Sequence, residues 1–125
     1  MKILILGYSN IAKKRFINFF IYKKFIIYVA SKSAKEKIPG IAKQFNSYKE
    51  ALYKSDADLV YISLPNSFHF KWAYKALSLG YHVVVDKPLC DTTFELNKLI
   101  KIAKKKKKLL AESIFFNYHE QFKKT

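Results

Sequence analysis

A chain of 125 residues, 50% of them hydrophobic, can bury one ordinary core and not two. Lysines interrupt every apolar stretch short of membrane-spanning length, so no spanning helix is expected; the nearest approach, residues 17–29, is divided by Lys23 and Lys24. The net charge of +15 rests almost wholly on lysine, with a single arginine, Arg15, and lysine is a point charge less suited than arginine to bidentate phosphate reading.

Lys2 to Leu6 reads as a short apolar strand ending at Gly7. Asn10 can cap a helix over Ile11 to Tyr22, with Ile11, Phe16, Ile17, Phe19 and Phe20 on one broad face. Phe25 to Ala30 is a second strand, followed by the polar segment Ser31-Lys32-Ser33. Ala34 to Gln44 has helical composition broken by Pro39-Gly40, and a third strand is expected near Phe45. Ser47 and Glu50 have the spacing of a capping box, opening a short helix to Lys54. Asp58 to Ser63 reads as a fourth strand and Leu64-Pro65-Asn66-Ser67 as a turn. Ser67 can then cap a helix to Leu79, and Gly80 suits a left-handed exit. Val83 to Val85 is a fifth strand. Thr92 and Glu95 repeat the capping-box spacing, and their helix ends in Lys104 to Lys108, where the backbone dipole favours cations. Leu109 to Phe116 reads as a last strand. Strands alternating with helices mean an α/β chain with a parallel sheet covered on both faces.

The first strand, turn and helix hold Gly7-Tyr8-Ser9-Asn10-Ile11-Ala12. Against the dinucleotide fingerprint G-x-G-x-x-G/A the first and third small positions match, and Ser9 replaces the middle glycine. That glycine normally lets the backbone approach a pyrophosphate; serine is the mildest replacement, being small and able to donate to phosphate itself. The plainer alternative is an ordinary strand–helix turn. An NAD site usually places an acid at the end of the second strand to bind the ribose 2′-hydroxyl. Here the segment is Ser31-Lys32-Ser33, with no acid, and small hydroxyls beside a cation suit a 2′-phosphate. NADP is therefore expected over NAD.

In a doubly wound, Rossmann-type three-layer sheet of strand order 3-2-1-4-5-6, strand four lies beside strand one at the switch point. Its carboxyl end is Leu64-Pro65-Asn66, and strand five delivers Asp86-Lys87-Pro88 next door. The residue before a proline is pushed out of helical geometry, so Lys87 is aimed by a stiff turn, a placement suited to proton transfer or charge stabilisation. The bland alternative is a solvated lysine in a connection.

Tyr61-Ile62-Ser63-Leu64-Pro65-Asn66-Ser67-Phe68-His69 and Gly80-Tyr81-His82-Val83-Val84-Val85-Asp86-Lys87-Pro88 together resemble the Gfo/Idh/MocA family of sugar-type oxidoreductases. Its members carry a T/S-x-P-N turn with a histidine a few residues on, then a G-x-H-V strand ending in E-K-P. The resemblance runs from the Gly7 turn to Phe116-Asn117-Tyr118-His119. It implies a domain binding NAD(P), with Lys87 near the nicotinamide and the reacting carbon, polarising or helping to deprotonate a sugar hydroxyl while hydride passes to the nicotinamide. Asn66 and His69 match positions close to the cofactor; for His69 a surface histidine at a helix start is the alternative. His82 is given a structural role and Cys90 a packing role. Asp86 departs from the family's glutamate by one methylene, and Ser9 from its glycine.

The expected single domain is 1–118, with 119–125 beginning the connection to a carboxyl-terminal substrate domain that family members carry. That domain would supply substrate contacts and mediate oligomerisation, so association with another copy or with a separate carboxyl-terminal domain is a further expectation. No metal site is expected. The amino terminus runs directly into a strand with no signal-peptide pattern, and the single cysteine fits a reducing cytoplasm. Three functions stand: the cofactor domain of an oxidoreductase acting on a sugar, cyclitol or nucleotide sugar; a non-catalytic dinucleotide-binding module; and a basic nucleic-acid-binding protein, which no nucleic-acid motif supports.

Overall fold

The computed structural model describes residues 1–8, 24–32, 38 and 40–113. Six strands make one sheet: β1 (Lys2–Leu6), β2 (Ile26–Ala30), β3 (Lys43–Phe45), β4 (Leu59–Ile62), β5 (His82–Asp86) and β6 (Leu110–Ser113). All pairings are parallel and the order is β3-β2-β1-β4-β5-β6. The connection reverses direction between β1 and β4, so this is the doubly wound order expected from the sequence. The helix expected over Ile11 to Tyr22, with its Asn10 cap, lies outside the described residues.

Alternation along β1 divides the core. Leu4 and Leu6 face one side with Val60, Ile62, Val83 and Val85, and there α1 (Tyr48–Lys54), α2 (His69–Ser78) and α3 (Thr93–Lys106) cover the sheet through Leu52, Ala73, Leu77 and Leu99. Ile3, Ile5, Ile27, Val29 and Tyr61 face the other side, where they are equally buried. A sheet apolar on both faces explains why β1 and β5 read as continuous hydrophobic runs.

Both capping boxes form. The Ser47 hydroxyl accepts from the Glu50 amide at 3.2 Å and the Thr92 hydroxyl from the Glu95 amide at 3.1 Å. Gly80 takes the left-handed exit with φ +92°. Two local expectations are corrected. Ser67 caps nothing: it lies within a 3-10 turn over Asn66–Phe68, and α2 begins at His69 without a side-chain cap. Gln44, given to a helix by composition, belongs to β3, where Val29 pairs with it. The α3 helix ends within the expected lysine run, on Lys107 in left-handed geometry, φ +57°, a position usually given to glycine. Of the last expected strand, Leu110–Ser113 is formed and residues 114–116 lie outside the described residues.

Candidate active site

The carboxyl ends of β1, β2, β4 and β5 lie along one edge of the sheet, because every strand is parallel. At its centre Gly7 turns the chain with φ +98°, donating its amide to Ala30 of β2 at 2.8 Å. A Cβ at Gly7 would sit 2.3 Å from the Ser63 carbonyl oxygen, far inside contact distance. Glycine is therefore required here to bring the β1 turn against the end of β4. Tyr8 follows, half-buried, while Ser9, Asn10 and Ile11 of the fingerprint lie outside the described residues.

At the end of β2, Ser31 is only 2% exposed and donates its amide to Phe45 at 3.0 Å. Lys32 is exposed, with its ammonium 5.2 Å from the centre of the Tyr48 ring; Ser33 lies outside the described residues. Tyr48 in turn meets Trp72 edge to face at 5.4 Å. Lys49, Lys71, Trp72, Tyr74 and Lys75 line an open cavity of about 350 Å3 beside this pair. The sequence reading missed this cluster. Its one local signal was an aromatic residue directly after the Ser47 cap, which puts Tyr48 in the first turn of a helix at the same sheet edge.

Across the switch point, Leu64 is buried while Pro65 and Asn66 are exposed. Beside them Lys87 and Pro88 are also exposed, joined by a cis peptide bond. Asp86 is half-buried and one of its carboxylate oxygens accepts the Tyr61 hydroxyl, which holds the acid back toward the sheet. The Leu89 amide donates to Glu112 of β6 at 2.9 Å, bracing the turn from the far side. Neither Tyr61 nor Glu112 was singled out from sequence. Tyr61 could have been found by strand parity, since it pairs with Val84 and so shares a face with Asp86.

His69 is not a surface residue. It is 1% exposed, with Nε2 2.6 Å from the Leu64 carbonyl oxygen and Nδ1 2.6 Å from that of Pro88. It sits beneath the edge, between the Pro65–Asn66 turn and the Lys87–Pro88 turn. His82 accepts the Leu109 amide on Nδ1 at 3.0 Å, tying the start of β5 to the segment leading into β6. Cys90 packs against the core, and burial followed by the Glu95 carboxylate pushes its thiol up from the ordinary value. Such a thiol stays protonated and unreactive near neutrality, in keeping with a packing role.

Gly7, Lys32, Asn66 and Lys87 all follow the carboxyl ends of parallel strands on either side of the β1/β4 reversal, the place where open α/β sheets take their ligands. Over residues 1–113 the chain matches the model of the Gfo/Idh/MocA oxidoreductase family, NAD-binding Rossmann fold. It is 38% identical over 72 residues to a dTDP-3,4-didehydro-2,6-dideoxy-alpha-D-glucose 3-reductase of Saccharopolyspora spinosa, covering 58% of this chain and 22% of that protein. It is 34% identical over 94 residues to the D-xylose 1-dehydrogenase (NADP(+)) of Hypocrea jecorina, covering 71% and 24%. A 3-ketoreductase from Actinomadura kijaniata, crystallised with TDP-benzene and NADP, superimposes with a TM-score of 0.85 at 26% identity, over 99% of this chain and 40% of that one. The chain thus spans about a quarter of the length of the curated relatives it matches. Strand order, the glycine-bound switch point and the match over residues 1–113 agree: the chain belongs to the Gfo/Idh/MocA oxidoreductase family and has its NAD-binding Rossmann fold.

Proposed function

We propose that the chain is the cofactor-binding part of an oxidoreductase that prefers NADP(H) and acts on a hydroxyl or carbonyl of a sugar, cyclitol or nucleotide sugar. The observation that carries the cofactor preference is Lys32. It stands exposed at the end of β2, where an NAD site would carry an acid, and the lysine-lined cavity beside Tyr48 and Trp72 adds positive potential. A ribose 2′-phosphate is attracted there and an unmodified ribose gains little. Gly7, Tyr8, Leu64, Pro65, Asn66, Asp86 and Pro88 are assigned to the wall of the crevice from pyrophosphate to nicotinamide, and Ser9, Asn10, Ile11 and Ser33 to the phosphate side. Ser31, buried and with its amide bonded to Phe45, is assigned to the end of β2 that positions Lys32.

A bound nicotinamide supplies the hydride exchange. Lys87 is the catalytic residue: it stands exposed on the turn after β5, next to the β4 turn that carries Asn66. Its ammonium polarises the substrate oxygen or gives it a proton as a carbonyl is reduced, and the neutral amine takes up the proton of a hydroxyl being oxidised. His69 contributes from below, through the two turns it joins. A substrate of the sugar class is supported by the named activities of the relatives. Its contacts, together with any homo-oligomer, are assigned to chain beyond the quarter of the relatives' length matched here. The partly buried thiol of Cys90 suits a reducing cytoplasm.

Titration of the purified chain with NADPH and then NADH, followed by nucleotide fluorescence, tests this reading. Tighter binding of NADPH, weakened roughly tenfold by Lys32→Ala, is expected for one lost charge-assisted phosphate contact. Equal affinity for the two nucleotides, or an indifferent Lys32→Ala, would overturn the preference. A second reading, a dinucleotide-binding module without turnover, rests on the exposure of Lys87 to water. Binding of NADPH without reduction or oxidation of any sugar-class substrate would favour it.

A further inference from the structure

His69 presents a chemical problem that its neighbours do not. Both of its ring nitrogens face backbone carbonyl oxygens, Leu64 on one side and Pro88 on the other, each at 2.6 Å. A carbonyl oxygen can only accept, and a neutral imidazole carries only one N–H. With a neutral ring, one of the two contacts would set a lone pair against a lone pair in a site that is 1% exposed. With the doubly protonated ring both contacts are hydrogen bonds. His82 shows the opposite requirement: its Nδ1 accepts the Leu109 amide and so carries no proton.

We propose that His69 is a positioning residue that works as the imidazolium, tying the Pro65–Asn66 turn to the Lys87–Pro88 turn and so fixing Lys87 relative to the cofactor crevice. The proposal rests on the cofactor reading for its functional consequence, though not for the state of the ring. The two carbonyls it joins belong to residues directly before Pro65 and directly after Lys87. The carboxylates on and next to the braced turn are engaged elsewhere: Asp86 with the Tyr61 hydroxyl, Glu112 with the Leu89 amide, and Glu95 with the Asp91 amide at 3.2 Å. Lys87, the Cys90 thiol and the exposed Asp91 stand on the turn that it braces, and Lys71 on its own helix is exposed. Among the described residues the ring is thus held by the two carbonyl oxygens and by no ion pair. Loss of either ring proton removes one tie and lets the two turns separate.

The ring nitrogens can be read directly. In a 15N-labelled chain without cofactor at pH 7.5, long-range proton–nitrogen correlation spectra should show His69 with protons on both nitrogens, its signals assigned by their loss in His69→Gln. A histidine at its ordinary value of about 6.5 is about nine-tenths neutral at that pH, and His82 should appear with Nδ1 bare. A single N–H on His69 at pH 7.5 would overturn the proposal. The consequence for the site is read by NADPH affinity against pH. The wild-type chain should lose roughly five- to tenfold in affinity as the ring gives up its second proton, and His69→Gln should show a flat profile over the same range. A flat wild-type profile while the ring visibly deprotonates would overturn the positioning role. If His69→Gln does not fold, the loss of the other two histidines' signals in His82→Gln and His119→Gln assigns His69, and the wild-type spectra and profile then decide. Absence of NADPH binding at every pH would count against the cofactor reading, while the ring spectra would still decide the state of His69.

Discussion

Gly7 is where one missing carbon matters most. In the sequence it reads as the first glycine of a phosphate-binding turn, but its immediate neighbour is protein: the Ser63 carbonyl lies where a Cβ would go, at 2.3 Å, and the backbone is left-handed besides. Neither partner can yield cheaply, since both are backbone held by strand pairing, the Ser63 amide donating to Leu6 at 2.8 Å. Gly7→Ala should therefore destabilise the fold by roughly 3 kcal/mol or more, read as a lower urea midpoint at unchanged slope and without any ligand present. A loss of cofactor affinity with full stability would mean that the glycine serves the ligand alone. The position was legible in the sequence; its reason was not, because a close approach between β1 and β4 depends on a pairing 56 residues away in the chain, as in Ile3 with Leu59.

At the scale of elements, the signals that could be read were those contained within a few residues. Ser47 with Glu50 and Thr92 with Glu95 name their own helix starts, and Gly80 names an exit. Ser67 has the right side chain for a cap, yet the 3-10 turn over Asn66–Phe68 carries the chain past it. What decides that start is the His69 ring bonded to both loops, a tertiary fact. The α3 exit was legible as the run Lys104 to Lys108, but five consecutive lysines do not mark which of them turns left-handed, and it is Lys107. A non-glycine residue there carries strain that glycine does not, offset partly by the greater freedom of glycine in the unfolded chain. Lys107→Gly should raise stability by roughly 0.5–1 kcal/mol, a small upward shift of the thermal midpoint with no change in nucleotide binding. A lower midpoint would show that Lys107 makes a contact outweighing its backbone.

For the whole molecule, the parallel sheet sorts its chemistry by end. The carboxyl ends carry the crevice, and the amino ends carry a small polar network: the Asp56 carboxylate accepts from the Lys2 ammonium and from the Tyr28 hydroxyl, joining β1, β2 and the segment before β4. The Lys2 and Tyr28 hydrogen bonds lower the Asp56 carboxyl to about 2 from its ordinary 3.8. A depressed carboxyl stabilises the fold at pH values above its ordinary value, and that contribution fades as pH falls from near 4 through about 2. Asp56→Asn should thus lower the thermal midpoint at pH 7 and flatten the acid limb between pH 4 and 2, with nucleotide affinity untouched. An unchanged acid limb would assign acid unfolding to other carboxylates. The opposite end has its own consequence. The turn bearing Lys87 is held by Tyr61 on Asp86, by His69 on Pro88 and by Glu112 on Leu89, three bonds from three different elements. Its conformational entropy is accordingly lost when the chain folds and not when a ligand arrives, so a dinucleotide meets a preorganised surface and keeps the affinity that ordering a loose loop would have consumed.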